Sequence, residues 1–286
     1  QMRGYSAEEL QGRAARTLYA SDEDYARLGE RVQADFAAHA AFDGDVCFMR
    51  KDGSPVWARV QGRGVRAHDM AGGTVWILED LTAAREAQQQ QDWAAIHDPL
   101  TQLCNREAFV QRMGVLLAER SARARTPGIA AADAAEGEGD GVMLFLDLDH
   151  FTVVNDLAGH DAGDDVLRHV ARLLESHVRQ IGWAARLGGD DFAVVLPGCS
   201  LARGQALAEQ LRAAVQAWEP SYQGRSFTLG ASIGLVVLDA SLQDVPSVLY
   251  AADMACYDAK RAGRNRVETR HADQAAASGR MALGPV

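Results

Sequence analysis

The residues best suited to chemistry are carboxylates. In DLDHFTVVNDLAGHDAGDDVL, running from Asp147 to Leu167, Asp147 and Asp149 end an apolar run of strand length. Alternate residues of a strand leave the same face, so both carboxylates project to one side. Acidic groups at the end of a buried strand are costly unless a cation or a donor meets them. Oxygen-only ligands of this kind suit magnesium, which keeps several waters and completes its shell with phosphate oxygens. The blander reading is that strand-end aspartates cap a following helix.

A second pair follows in RLGGDDF, Arg186 to Phe192. Gly188 and Gly189 at a turn permit positive φ and close approach of the backbone to a ligand, and Asp190 and Asp191 then project beside it. Alone, this tetrapeptide also reads as a solvated hairpin tip. Lys260 and Arg264 stand four apart at a helix end. Basic residues there also suit an ordinary solvated terminus that complements the helix dipole.

The elements that must position these groups are legible from periodicity. A helix over 105–119 carries Phe109, Met113, Leu116 and Leu117 on one face, and a strand spans 142–146. Val166, Val170, Leu173, Leu174 and Val178 mark a second amphipathic helix. Strands over 183–187 and 192–196 flank the Gly-Gly-Asp-Asp turn as a hairpin. Leu207, Leu211, Ala214, Val215 and Trp218 give another helix, 227–238 another strand, and Val248, Leu249, Ala252, Cys256 and Ala259 a last helix stopping at Gly263. The stretch 121–141, rich in Ala, Gly and acidic residues, reads as a mobile loop without chemistry. Strands separated by helices, with one hairpin, predict an α/β (α+β) domain: a mixed sheet with helices packed around it.

Upstream, Ser6-Ala7-Glu8-Glu9 has capping-box spacing before a short helix. Strands over 46–49 and 55–60 flank Lys51-Asp52-Gly53-Ser54, a hairpin signal, and a third strand spans 74–78. Residues 81–97 are polar and free of Gly and Pro, which predicts a connecting helix with apolar positions too sparse for a heptad seam.

Composition excludes several classes. The 286 residues suit about two domains. The net charge of −10 argues against a nucleic-acid binder, but not against a nucleotide, because a divalent cation bridges acidic side chains and phosphates. No apolar run reaches the roughly 18 residues that span a bilayer. Any membrane attachment is expected outside this chain. Cys47, Cys104, Cys199 and Cys256 are scattered without a CxxC pair, so a reducing, cytoplasmic setting is expected.

DPLTQLCNREAF (98–109), the Asp147 segment, RLGGDDF, ASIGLVV (231–237) and AADMACYDAKRAGRNRV (251–267) occur in the order and spacing of a GGDEF domain, and the chain resembles that diguanylate cyclase family over 98–267. Helix, hairpin and strand upstream, with RKDGSPVWARV and GTVWILEDLT, resemble the later part of a PAS sensor domain. PAS domains begin with two further strands, so the chain is expected to start inside that domain. The expected organisation is a PAS domain over 1–80, a linker helix over 81–97, a GGDEF domain over 98–270 and a low-complexity tail over 271–286.

The resemblance implies condensation of two GTP into cyclic di-GMP across a homodimer. It assigns metal ligation to Asp147, Asp190, Asp191 and the Leu148 carbonyl, with magnesium the expected ion and manganese an alternative. Asp147, Asp190 and Asp191 are then the catalytic carboxylates. Asn155 and Asp164 match the guanine-binding positions, Gly188 and Gly189 pass the phosphates, and Lys260 and Arg264 hold the terminal phosphates. Phe151 belongs to the same substrate-binding set, and His160 reads as structural.

Three positions depart from the family pattern. Asp191 stands where Glu is usual, Thr152 where Lys is common, and Gly182 where the inhibitory RxxD motif beginning at Arg179 has its aspartate. An alternative follows from the first: a GTP-binding module that regulates a partner or a downstream EAL phosphodiesterase domain without catalysis; a cyclic di-GMP effector is a further candidate partner. The PAS ligand is not legible.

Overall fold

The structure, a computed structural model, describes residues 4–39, 41–66, 69–124, 139–222, 224–239 and 241–270. Most of the expected 121–141 loop and the 271–286 tail lie outside the described residues. The chain divides into two compact units, Gln1–Asp92 and Trp93–Val286.

The first unit opens with α1 (Ala7–Leu10). Its capping box is formed: the Ser6 N–H donates to Glu9 Oε2 at 3.0 Å, and the Glu9 N–H to Ser6 Oγ at 3.2 Å. A short 3-10 turn leads to α2 (Asp22–His39), which the sequence reading did not anticipate. The signal was present, since Ser21 Oγ caps the Asp24 N–H at 3.1 Å and Leu28, Val32 and Phe36 fall four apart.

Strands β1 (Ala41–Met49), β2 (Pro55–Arg66) and β3 (Asp69–Asp80) form an antiparallel sheet in that order, each longer than expected from its apolar centre. Phe36, Phe42, Phe48, Val56 and Val60 make its core. A cavity of about 400 Å³ beside them is lined by apolar and aromatic groups such as Leu18, Tyr19, Tyr25, Phe48 and Trp76, without a charged side chain. Gly62 gives the Trp76 ring its place, because a Cβ there would lie 2.4 Å from the ring. The polar stretch after β3 is helical, α3 (Thr82–Ile96), with no buried residue.

The second unit is a five-stranded mixed sheet, as its strand–helix alternation predicted. In chain order come α4 (Arg106–Ala124), β4 (Val142–Asp149), α5 (Phe151–Ala158), α6 (His160–Val178), β5 (Trp183–Gly188) and β6 (Asp191–Leu196). Then follow α7 (Leu201–Ala217), the two-residue strands β7 (Ser221–Tyr222) and β8 (Arg225–Ser226), β9 (Gly230–Val237), α8 (Val245–Arg261) and β10 (Val267–Arg270).

The strand order is β10-β9-β4-β6-β5, with β9–β10 parallel and the other pairs antiparallel. Central β4 is buried on both faces, which is why it reads as an unbroken apolar run. Val142, Leu144, Leu146 and Leu148 pack with α6 and α7, whereas Met143 and Phe145 pack with α4 and α8. By the same alternation Asp147 and Asp149 leave the α4/α8 face.

Several boundaries differ from the sequence reading. Residues 121–124 extend α4 rather than opening a loop. The expected strand over 227–238 shortens to β9, and α8 ends two residues before Gly263, whose φ of +119° follows the helix. The Asp147 segment also contains a helix that was not separated beforehand, because α5 and α6 meet at Gly159 (φ +88°) with almost no connecting chain.

Candidate metal and nucleotide site

The hairpin turn brings the carboxylates together. Asp191 pairs directly with Asp147 in the β4–β6 register, and a bulge between Arg186 and Gly188 sets the Gly188–Asp191 closure. Gly188 and Gly189 have φ of +146° and +51°, values that non-glycine residues rarely adopt. Carboxylate oxygens of Asp147, Asp190 and Asp191 lie within 4.8 Å of one another. The side chain of Leu148 is buried, so only its backbone is available, and β4 runs past its last β6 partner from Leu148 onward.

Crowding shows in the acidities. Burial, then the Asp147 charge, raises the Asp190 carboxyl above its usual value. Burial, reinforced by Asp147 and Asp190, pushes Asp191 up to about 6. Like charges held close and partly desolvated resist ionising together. An all-oxygen donor set under this strain fits a hard divalent cation, which relieves both effects.

Lys260, in the last turn of α8, forms an ion pair with Asp147. Burial opposes the lysine's charge, but Asp147 outweighs it and raises the ammonium pKa. Cys256, one turn earlier, donates its Sγ–H to the Ser232 carbonyl at 3.2 Å. Burial, with Asp147 next, pushes this thiol up to about 12, so it stays neutral.

Asn155 and Asp164 come from facing helices. Gly163 lies beneath the Asn155 side chain: a Cβ there would fall 1.9 Å from Asn155 Oδ1 and 3.2 Å from the Phe151 ring. A side chain there would push the Asn155 amide aside. Phe151 is partly buried against the core, and Asp164 is half-exposed, 3.7 Å from Arg168. Thr152 and His160 are exposed. Arg264 is exposed at φ +62°, just past Gly263, beyond the end of α8.

Two further residues support the turn and were given no role by the sequence reading. Arg186 donates from Nη1 to both Asp98 oxygens at 3.1 and 3.2 Å, and from Nε and Nη2 to the Gly189 carbonyl at 3.0 and 2.8 Å. Asp98 also accepts from the Thr101 N–H and hydroxyl at 2.8 and 2.7 Å. Burial works against ionisation of Asp98, yet Thr101 and Arg186 outweigh it and hold the carboxyl below its ordinary value. The usable signal was Asp98 three residues before Thr101, a spacing that favours a side-chain-to-backbone turn. Its partner Arg186, 88 residues away, gave none.

At Gly182, where the family's inhibitory aspartate would stand, a Cβ would lie 2.0 Å from the Val195 carbonyl oxygen. The backbone there has closed to a distance that only glycine tolerates. Among the described residues no helix is long and apolar enough to cross a membrane.

Comparison with known proteins agrees with this architecture. Residues 95–266 match the family model described as diguanylate cyclase, GGDEF domain, and residues 1–83 match a PAS domain model. The chain is 31% identical over 278 residues to the probable diguanylate cyclase DgcE of Escherichia coli K12, spanning 96% of this chain and 24% of that protein. It is 37% identical over 190 residues to the diguanylate cyclase DgcP of Pseudomonas aeruginosa, spanning 66% of this chain and 26% of that one. The chain thus spans about a quarter of the length of these relatives. Among solved structures, the coiled coil and GGDEF domain of DgcB from Caulobacter crescentus, in complex with c-di-GMP, aligns with a TM-score of 0.57 at 28% identity. That alignment covers 66% of this chain and 93% of the other. With its sheet, its glycine turn and a family match over more than half its length, the chain belongs to the GGDEF diguanylate cyclase family.

Proposed function

We propose that this chain condenses two GTP into cyclic di-GMP and two pyrophosphates, each GGDEF domain of a homodimer holding one GTP. The observation that carries this reading is the convergence of Asp147, Asp190 and Asp191 at one turn, with Lys260 beside them. In each half-reaction the 3′-oxygen of one GTP attacks the α-phosphorus of the other. The bond to the β-phosphate oxygen breaks, and pyrophosphate leaves with the electron pair. The hydroxyl proton passes to a base, for which the Asp191 carboxylate, where the ion does not engage it, is the candidate.

Asp147, Asp190 and Asp191, with the Leu148 carbonyl, would hold the divalent ion. Magnesium, or manganese in its place, supplies Lewis-acid polarisation of the phosphate and lowers the pKa of the attacking hydroxyl. Asn155 and Asp164 read the guanine edge, Phe151 walls the base, Gly188 and Gly189 let the backbone pass the phosphates, and Lys260 and Arg264 hold the outer phosphates. We further propose that the PAS unit (1–80) governs the GGDEF domain (98–270) through the helix over 81–97, in the cytoplasm. The uncharged lining of its cavity suits an apolar signal molecule.

The shorter Asp191 favours a second reading, a GTP-binding module that regulates a partner or an EAL phosphodiesterase domain. Its carboxylate nonetheless lies within the three-residue cluster, which supports turnover. The test is incubation with GTP and magnesium, with products separated and identified. Cyclic di-GMP from GTP and no dinucleotide from ATP are expected. GTP binding without product supports the regulatory module, and equal affinity for ATP contradicts the guanine assignment.

A further inference from the structure

Asp149 leaves the same strand face as Asp147, yet it takes no part in the acidic cluster. It is only 3% exposed, and both its oxygens are occupied. Oδ1 accepts the hydroxyl of the fully buried Ser232 at 2.8 Å. Oδ2 accepts the backbone N–H of Asn265, 116 residues away, at 2.8 Å.

That second bond falls on an unusual piece of backbone. Arg264 and Asn265 both have positive φ, +62° and +44°, in the left-handed region that asparagine enters readily but arginine seldom does. The Arg264 N–H donates to the Ala259 carbonyl at 3.0 Å, and the Ile233 N–H donates to the Arg266 carbonyl at 2.9 Å. Asn265 Oδ1 accepts from Arg212 at 3.0 Å. Gly230, opposite Asp149 in the β4–β9 register, leaves the gap in which the Asp149–Asn265 bond forms. A Cβ at Gly230 would lie 2.9 Å from Asp149 Oδ2 and 3.1 Å from Asn265 Cβ.

We propose that Asp149 is a positioning residue: through the Asn265 N–H it fixes the left-handed turn that aims Arg264 at the outer phosphates of the nucleotide. This rests on the role given to Arg264 under the proposed function. The two aspartates of Asp147-Leu148-Asp149 then divide the work, one meeting the cation and the other aiming the arginine.

The test measures affinity for GTP and for GMP, by calorimetry with magnesium, in the full chain and its variants. Asp149→Ala should weaken GTP on the order of 10–100-fold, the loss of one charge-assisted phosphate contact, and leave GMP within about twofold. Asp149→Asn should restore most of the affinity, because its amide oxygen can still accept from Asn265 while its NH₂ donates to Ser232. Arg264→Ala should add little on the Asp149→Ala background. Equal losses for GTP and GMP, or additive effects of the two alanine substitutions, overturn the proposal. Should Asp149→Ala fail to fold, Gly230→Ala wedges the same contact apart. A loss confined to GTP then supports the proposal, and unchanged GTP affinity overturns it. If Arg264→Ala alone leaves GTP affinity unchanged, the phosphate role of Arg264 fails instead, and the positioning proposal falls with it.

Discussion

Asp98 and Asp191 are partly buried carboxylates tied to one hairpin turn, yet their acidities move in opposite directions. Asp98 meets the Arg186 guanidinium and two donors of Thr101, and its carboxyl is held below the ordinary value. Asp191 meets Asp147 and Asp190, and its carboxyl is pushed up to about 6. Burial raises the pKa in both places, so the neighbours decide the sign. The difference separates a structural support from the proposed metal site. The first carboxylate is satisfied within the fold, and the second stands among like charges that a bound cation would relieve.

Breaking the satisfied side should give the larger effect on stability. Asp98→Ala leaves Arg186 without its carboxylate and loosens the grip on the Gly189 carbonyl. Removing one partner of a well-buried pair costs about 3–5 kcal/mol. Asp98 and Arg186 keep 18% and 14% of their side chains exposed, so a loss of roughly 2–3 kcal/mol is expected once solvent screening is allowed for. Chemical denaturation measures it. A loss under about 0.5 kcal/mol would mean that the clamp is incidental.

The crowded side should show itself through pH. In the folded, metal-free protein Asp191 keeps its proton up to about pH 6, whereas in the unfolded chain it loses it near the ordinary value of 3.8. Between these values the folded state binds more protons, so stability falls as pH rises from about 4 to about 6. Added divalent metal should reverse this loss, because it binds the ionised form. Metal affinity at pH 5 should be roughly tenfold below that at pH 7.5 from Asp191 alone. Calorimetric titration at the two pH values checks this, and equal affinities would show that Asp191 is no ligand.

The same contrast explains what was legible in the sequence. The Asp147 and Gly188–Asp191 motifs were readable because strand alternation and turn glycines are local rules. Asp98–Arg186 and Asp149–Asn265 were not, because alternation assigns a face but names no partner 88 or 116 residues away. The role of Gly163 was hidden for the same reason, since only the facing helix shows that Asn155 fills its missing Cβ. Helix α5 escaped because eight residues joined to α6 at one glycine leave too short a periodic signal. Helix α2 carried both cap and period and was simply missed. The consequence of Asp for Glu at 191 depended on the width of the cluster, which side-chain length alone does not determine.

The central claim is that Asp191 acts in the chemical step despite its shorter side chain. The most direct measurement is the rate of cyclic di-GMP formation by wild type, Asp191→Ala and Asp191→Glu, each verified as a dimer at saturating GTP and magnesium. The account predicts slow but real turnover by wild type. It predicts a fall on the order of 10²–10⁴ in Asp191→Ala, and an equal or higher rate in Asp191→Glu. Equal rates for wild type and Asp191→Ala, or no product from either wild type or Asp191→Glu, would contradict it.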